Sequence, residues 1–128
     1  MYKKLKPMVR VPLEKNEQEI LAAWLDREGY IWCHVPNEIP SVHGKPNYAW
    51  MISMRRRGLK PGIPDVLIFG KQSRPLRIAI ELKREKGGAT SDKQEQWLIN
   101  LRECGWHAEV CRGYKEAIET IEYYTNLQ

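Results

Sequence analysis

Two carboxylates and a lysine stand at matching ends of two short apolar runs. Asp65 precedes Val66-Leu67-Ile68-Phe69, and Glu81 and Lys83 close a run in which Ile78, Ile80 and Leu82 alternate with Arg77, Ala79, Glu81 and Lys83. A β-branched and aromatic run ended by Gly70, then strict alternation, reads as two successive strands. The polar stretch between them, Lys71-Gln72-Ser73-Arg74-Pro75, reads as a loop centred near residues 72 and 73. An antiparallel pairing about that centre sets Asp65 opposite Ile80 and beside Glu81. Cross-strand neighbours have Cβ atoms about 4.5–5.5 Å apart, close enough for two carboxylates to share one hard cation. Residues two apart share a face of a strand, so Lys83 joins Glu81 while Leu82 enters the core. An acid, an acid and a lysine at one sheet end can bind a divalent ion and stabilise negative charge. Taken alone, the same residues make an ordinary solvated strand end with a Glu/Lys pair.

The elements that must position this cluster are legible on either side. From about Leu13 to Glu28 the pattern is helical, with Ile20, Leu21, Trp24 and Leu25 as the apolar stripe and Gly29 as the stop. Projection at 100° per residue puts Glu17 near the middle of that stripe and Glu14 further off it, so both can face inward. Both also suit the first turn of a helix, where the dipole favours acids. Residues 30–35 read as the first strand, closed by Pro36-Asn37. Its His34 is read as a packing or surface residue, with general base or DNA contact as the functional alternative. Residues 38–63 are mostly loop, broken by Pro40, Gly44, Pro46, Gly58, Pro61 and Gly62, with a short helix expected over 49–57. This irregular span carries no acid between Glu38 and Asp65. It does carry Lys45, Arg55, Arg56, Arg57 and Lys60, with Tyr48 and Trp50 among them. Cations interleaved with aromatics suit phosphate contact and base stacking, against the plainer reading of a solvated basic loop.

After Lys83 comes a polar turn, residues 84–90, and then Ser91-x-x-Gln94, a capping-box pattern opening a helix. Trp97, Leu98 and Leu101 form its buried stripe and Gly105 ends it. Gln94 therefore has two readings, a helix cap or a side chain aimed at the sheet end that carries Lys83. Residues 106–111 alternate and form a fourth strand, parallel to the 77–83 strand through the intervening helix. Tyr114, Ala117, Ile118 and Ile121 mark a last helix whose acids, Glu116, Glu119 and Glu122, make it a poor DNA face.

With Gly62-Ile63-Pro64-Asp65 and Glu81-Leu82-Lys83 both complete, the segment resembles the PD-(D/E)XK nuclease superfamily. The longer string Gly58-Leu59-Lys60-Pro61-Gly62-Ile63-Pro64-Asp65 is similar more particularly to the virus-type replication-repair nuclease (VRR-NUC) domain. Glu14-x-x-x-Gln18 with Leu25 and Gly29, His34-Val35-Pro36-Asn37, Ser91-x-x-Gln94 and 113–118 extend the likeness over about residues 13–121. The resemblance implies an α/β fold with a restriction-endonuclease-like core, a mixed central sheet of about four strands flanked by helices. It implies one nuclease domain over 1–128, within which residues 1–12, basic and carrying Pro7 and Pro12, read as an extended arm. It further implies a Mg²⁺- or Mn²⁺-dependent endodeoxyribonuclease of phage or bacterial stand-alone type, a homodimer acting on branched DNA such as Holliday junctions. Asp65, Glu81, the Leu82 carbonyl and a helix glutamate would hold metal, with Lys83 and Gln94 completing the catalytic set. Spacing within the resemblance favours Glu14 as that glutamate, the apolar-face argument favours Glu17, and Glu14 is taken. A restriction-type or general double-strand endonuclease and a non-catalytic nucleic-acid-binding module are the rival readings.

The chain has 128 residues with a formal charge of +5, one domain's length and a balance that favours anionic partners. No apolar run approaches 18 residues, so no membrane helix is expected. No small-molecule cofactor is expected either. Cys33, Cys104 and Cys111 are an odd set with no secretion signal ahead of them, which fits a reducing interior, and the resemblance implies the cytoplasm of a bacterial or phage-infected cell. Cys104, His107 and Cys111 match no standard zinc spacing, and buried thiols are the expectation.

Overall fold

The computed structural model describes residues 14–36 and 38–127, with backbone alone for Glu14 and Lys15. The basic arm expected over residues 1–12 lies outside the described residues. Elements run α1 (Glu14–Arg27), β1 (Tyr30–His34), β2 (Ser41–Val42), β3 (Lys45–Pro46), α2 (Tyr48–Arg56), β4 (Val66–Lys71), β5 (Arg74–Lys83), α3 (Asp92–Glu103), β6 (His107–Arg112) and α4 (Tyr114–Thr125). Four of the strands form one mixed sheet in the order β1-β4-β5-β6. The first two contacts are antiparallel and the β5–β6 contact is parallel, as a strand–helix–strand crossover through α3 requires. This is the mixed α/β architecture expected from the motifs.

Alternation along β5 divides the chain into two layers. Ile78, Ile80 and Leu82, all at 0% exposure, join Val66 and Ile68 of β4 against Leu21 and Leu25 of α1 and Ala117 and Ile121 of α4. Ala79 turns to the other face and packs with Leu98 of α3 and Ala108 of β6. Glu81 and Lys83 continue the Ala79 face by the two-residue period, so they project towards α3. The buried stripe of α1 recurs at i, i+4 and i+8, and its first member is Glu17, fully buried with Leu21 and Leu25. Gly29 at φ +79° ends this helix as its sequence position indicates.

The β4–β5 hairpin differs from the symmetrical expectation. Ile68 faces Ile78, but Gly70 faces Pro75, so Leu76 and Arg77 together stand against the single residue Phe69. This β-bulge shifts the pairing by one, and Val66 rather than Asp65 faces Ile80. Continuing the ladder places Asp65 across from Glu81. The loop also contracts. The strands run on to Lys71 and Arg74, leaving Gln72-Ser73 as a two-residue turn with Gln72 at φ +58°.

The span 38–63 holds more structure than its glycines and prolines indicate. β2 and β3 form a hairpin through His43-Gly44, both at positive φ (51° and 76°), the conformation of a tight hairpin turn. The short helix begins at Tyr48, one residue earlier than expected, because the Asn47 side chain accepts from Trp50 N at 3.0 Å. Among the described residues, α2 and the small hairpin pack against no other helix or strand of the main layers.

Candidate active site

The two chemistry-bearing segments meet at the end of the sheet where β4 begins and β5 ends. Asp65, Glu81 and Lys83 are all buried there, at 8%, 1% and 8% exposure. Asp65 is held from three directions. Its Oδ2 accepts from Leu82 N at 2.8 Å, and its backbone carbonyl accepts from Val35 N at 2.8 Å and from His34 Nδ1 at 2.9 Å. A carbonyl can only accept, so Nδ1 of His34 carries the proton. Burial raises the Asp65 carboxyl above its ordinary value, against the opposing effects of the Leu82 N–H, the His34 and Lys83 charges and hydrogen bonding with Glu81.

Lys83 and Glu81 are joined directly and through α3. The Lys83 ammonium lies 3.4 Å from Glu81 Oε1 and donates to Gln94 Oε1 at 3.1 Å, while Gln94 Nε2 donates to Glu81 Oε1 at 2.8 Å. The same Gln94 Oε1 accepts from Ser91 N at 2.9 Å, and Ser91 Oγ accepts from Gln94 N at 3.2 Å, which completes the capping box of α3. The two readings of Gln94 are thus one arrangement: the side chain that caps the helix also bridges the acid and the lysine. With both Oε1 contacts coming from donors, the amide orientation is fixed chemically.

Gly62 explains how the segment before Asp65 reaches α3. A Cβ at Gly62 would lie 2.8 Å from the backbone carbon of Lys93, and the residue sits at φ +90°. Only glycine fits both constraints. Trp97 Nε1 adds a hydrogen bond of 3.1 Å to the Pro61 carbonyl, so the glycine-proline segment is fastened to the helix that supplies Gln94.

The first helix contributes differently. The Glu14 side chain lies outside the described residues. Glu17 belongs to the α1–α4 layer, on the opposite side of the sheet from Gln94, and its Oε2 accepts from Tyr114 N at 2.5 Å. Gly113, the N-cap of α4, brings no side chain to cap that helix, so Glu17 supplies the cap from a distance. The Oε1 atom of Glu17 is buried and makes no hydrogen bond to a described residue. Because Gly113 N donates to Lys83 O at 2.9 Å, this acid still approaches the Lys83 end of the sheet, from behind.

Asp65 and Glu81 present carboxylate oxygens, the donors that hard cations take, and Mg²⁺ is commonly held by one or two carboxylates with water filling the remaining positions. The donor set fits Mg²⁺ or Mn²⁺. Among the described residues no three of His, Cys, Asp and Glu are grouped to hold a metal. Cys33 and Cys104 are exposed and Cys111 is buried in the core, its thiol pushed up to about 11 by burial, while His107 stacks on Tyr124 at 4.2 Å between centroids. No zinc arrangement joins these residues.

In the basic segment, Lys45, Arg55, Arg56, Arg57 and Lys60 are all exposed. Arg55 and Lys60 line one small cleft with Trp50, Met51 and Pro61, and that cleft adjoins the loop leading to Asp65. His34, for which the sequence offers both a packing and a functional reading, holds the Asp65 carbonyl, while Lys93 and Arg112 are placed close to the cluster without having been singled out by pattern. A helix lysine and a strand arginine carry no distinctive spacing, so nothing in the sequence marks them.

The family model described as the VRR-NUC domain matches residues 13–115. A solved structure described as a VRR_NUC domain protein superposes with a TM-score of 0.67 at 21% identity, covering 93% of each chain. No curated protein matches the chain. No helix among the described residues is long and apolar enough to cross a membrane. A match over residues 13–115, most of the chain, on top of a four-stranded mixed sheet that brings Asp65, Glu81, Lys83 and Gln94 together, makes this chain a member of the VRR-NUC family of nuclease domains.

Proposed function

We propose that the protein is a metal-dependent endodeoxyribonuclease that hydrolyses phosphodiester bonds, selects branched DNA such as four-way junctions, and works as a homodimer. The observation that carries this reading is the Lys83–Glu81–Gln94 network beside Asp65, a buried ammonium and two carboxylates at one sheet end. A Mg²⁺ or Mn²⁺ ion bound by these residues would supply Lewis-acid stabilisation and a water acidified for attack. Asp65 and Glu81, with the Leu82 carbonyl and a glutamate of α1, are the oxygen donors assigned to it. Lys83 is held at the carboxylates by two acceptors, so its charge is already oriented where negative charge develops on the phosphoryl group. Gln94 fixes both the ammonium and the Glu81 oxygen and thereby limits their rotamers. Lys45, Arg55, Arg56, Arg57 and Lys60 are assigned to the DNA backbone. Two copies related by a twofold axis would suit symmetrical cuts in opposed strands.

The decisive experiment is a substrate panel of junction, flap, nicked and linear DNA, each with Mg²⁺, Mn²⁺ or chelator, run beside Glu81→Ala. Metal-stimulated cutting of the junction, lost in the variant, supports the reading. Equal cutting of linear duplex would select a general double-strand endonuclease. Salt-dependent binding without any cutting would select a non-catalytic module.

A further inference from the structure

The loop joining Lys83 to Ser91 is held by one side chain. Arg112, opposite Lys83 in the β5–β6 ladder, donates through Nη1 to the carbonyls of Arg84 at 3.2 Å and Gly87 at 2.5 Å, and through Nη2 to that of Gly88 at 2.8 Å. Three carbonyls converging on one guanidinium define the path of residues 84–88 closely, and Gly87 and Gly88, at φ +81° and +69°, permit that path. The next residue adds a second hold. Gly113 N donates to Lys83 O, and a Cβ at Gly113 would lie 2.9 Å from Glu85 Cγ.

The consequence is a sorting of charge. All three charged residues of the loop are exposed, but the Glu85 side chain is turned towards Gly113, and no described carboxylate forms an ion pair with Arg84 or Lys86. The loop begins at Lys83 and its far end leads to the Ser91–Gln94 cap, so both of its ends are anchored in the candidate active site. A structural staple alone would not require two unpaired cations to face solvent at this position.

We propose that loop 84–88 is a phosphate-contacting rim of the site, that Arg84 and Lys86 reach the DNA backbone, and that Arg112 is the positioning residue that holds them there. This rests on the nuclease reading. It adds a contact surface on the α3 side of the cluster, separate from the 45–60 basic segment. Each cation that meets a phosphate releases a counterion, with a slope in log affinity against log salt of about 0.9 per contact.

The test reads binding rather than turnover. Chelator-treated protein is titrated with a fluorescein-labelled four-way junction over a range of NaCl concentrations. Arg84→Ala with Lys86→Ala should weaken binding by at least about tenfold and flatten the salt slope by about 1.8. Arg112→Lys keeps the charge but not the planar three-carbonyl geometry, and it should weaken binding in the wild-type background and not in the Arg84→Ala/Lys86→Ala background, since contacting groups in series are non-additive. Arg112→Ala, checked for folding by circular dichroism, should follow the same rule. An unchanged salt slope in the double variant overturns the rim, and an Arg112→Lys loss of equal size in both backgrounds overturns the positioning role. Failure of the wild-type protein to bind the junction at all would instead remove the nuclease reading.

Discussion

Gln94→Glu preserves the length of the side chain and the helix cap while removing the amide donor aimed at Glu81. Glutamate is the usual partner in a capping box, so the Ser91 N–H keeps its acceptor and α3 keeps its start. Lys83 also keeps an acceptor, now a charged one. What is lost is the 2.8 Å hydrogen bond from Nε2 to Glu81 Oε1, and two carboxylates are brought together in its place. A hydrogen bond to a charged group contributes about 1.5–3 kcal/mol, and the gain at Lys83 offsets part of the loss. The expected net cost is about 2 kcal/mol near pH 8, where both acids are ionised. With an unfolding entropy of about 2.1 cal/mol/K per residue, that lowers Tm by about 7 °C. The pH dependence carries the sign. A shared proton restores the lost bridge, so the pair titrates above the ordinary carboxylate range, and the deficit shrinks as pH falls through that raised value. Gln94→Met, which loses cap and bridge alike, should be destabilised without this pH dependence. Thermal denaturation of chelator-treated protein across the pH range provides the comparison. A Gln94→Glu protein as stable as wild type near pH 8, or one with a pH-independent deficit, would refute the bridge.

Four further outcomes follow from the same geometry. Gly62→Ala should cost about 2–4 kcal/mol in urea denaturation, because a methyl group 2.8 Å from the Lys93 backbone meets both overpacking and a left-handed φ. Asp65→Asn should stabilise the metal-free protein at neutral and higher pH. The Asp65 carboxyl is raised by burial, so the stability tied to its protonated form is present below its ordinary value of 3.8 and lost as pH rises through the folded value, a loss that asparagine, titrated calorimetrically, should not show. Thiol labelling near pH 8 should modify Cys33 and Cys104 quickly and Cys111 only at the rate of opening, since Cys111 is buried with its thiol at about 11. Rapid modification of all three by mass spectrometry would contradict the packing. Glu17→Ala should cost about 1–3 kcal/mol by stripping the cap from α4 and leaving Tyr114 N–H unpaired, measured as a shift in the urea midpoint.

The fold was legible wherever burial imposed a period. Leu21 and Leu25 of α1, the Ile78-Ile80-Leu82 face of β5 and the Ala117-Ile121 spacing of α4 are each set by one large core, and the pattern survives into the structure. The hairpin register was not legible. A bulge of Leu76 and Arg77 against Phe69 is chosen by the twist and packing of the completed sheet, and no residue in the loop announces it. The 38–63 segment was obscured for another reason: its hairpin and helix bury nothing against the main layers, so no hydrophobic period marks them and only Asn47 and His43-Gly44 leave local signals. Glu17 shows a limit of face arguments. Its buried position was readable from the stripe, but its partner, an uncapped backbone N–H 97 residues away in sequence, was not.

The site and the fold are therefore joined through helix starts. Ser91 and Gln94 would form a capping box in any isolated helix, and here that local preference delivers the glutamine amide to Glu81 and Lys83. Glu17 caps α4 directly after the strand whose last residue, Arg112, grips the loop beyond Lys83. Three buried charges at one sheet end are expensive to hold in a low-dielectric setting. The Leu82 N–H donated to Asp65 and the Gln94 amide donated to Glu81 each offset part of that cost while fixing a rotamer, and the Ser91 N–H holds Gln94 in place. The geometry that orients the cluster for phosphate chemistry is thus the same geometry that lets the charges be buried, and substitutions that loosen it should lower stability and turnover together.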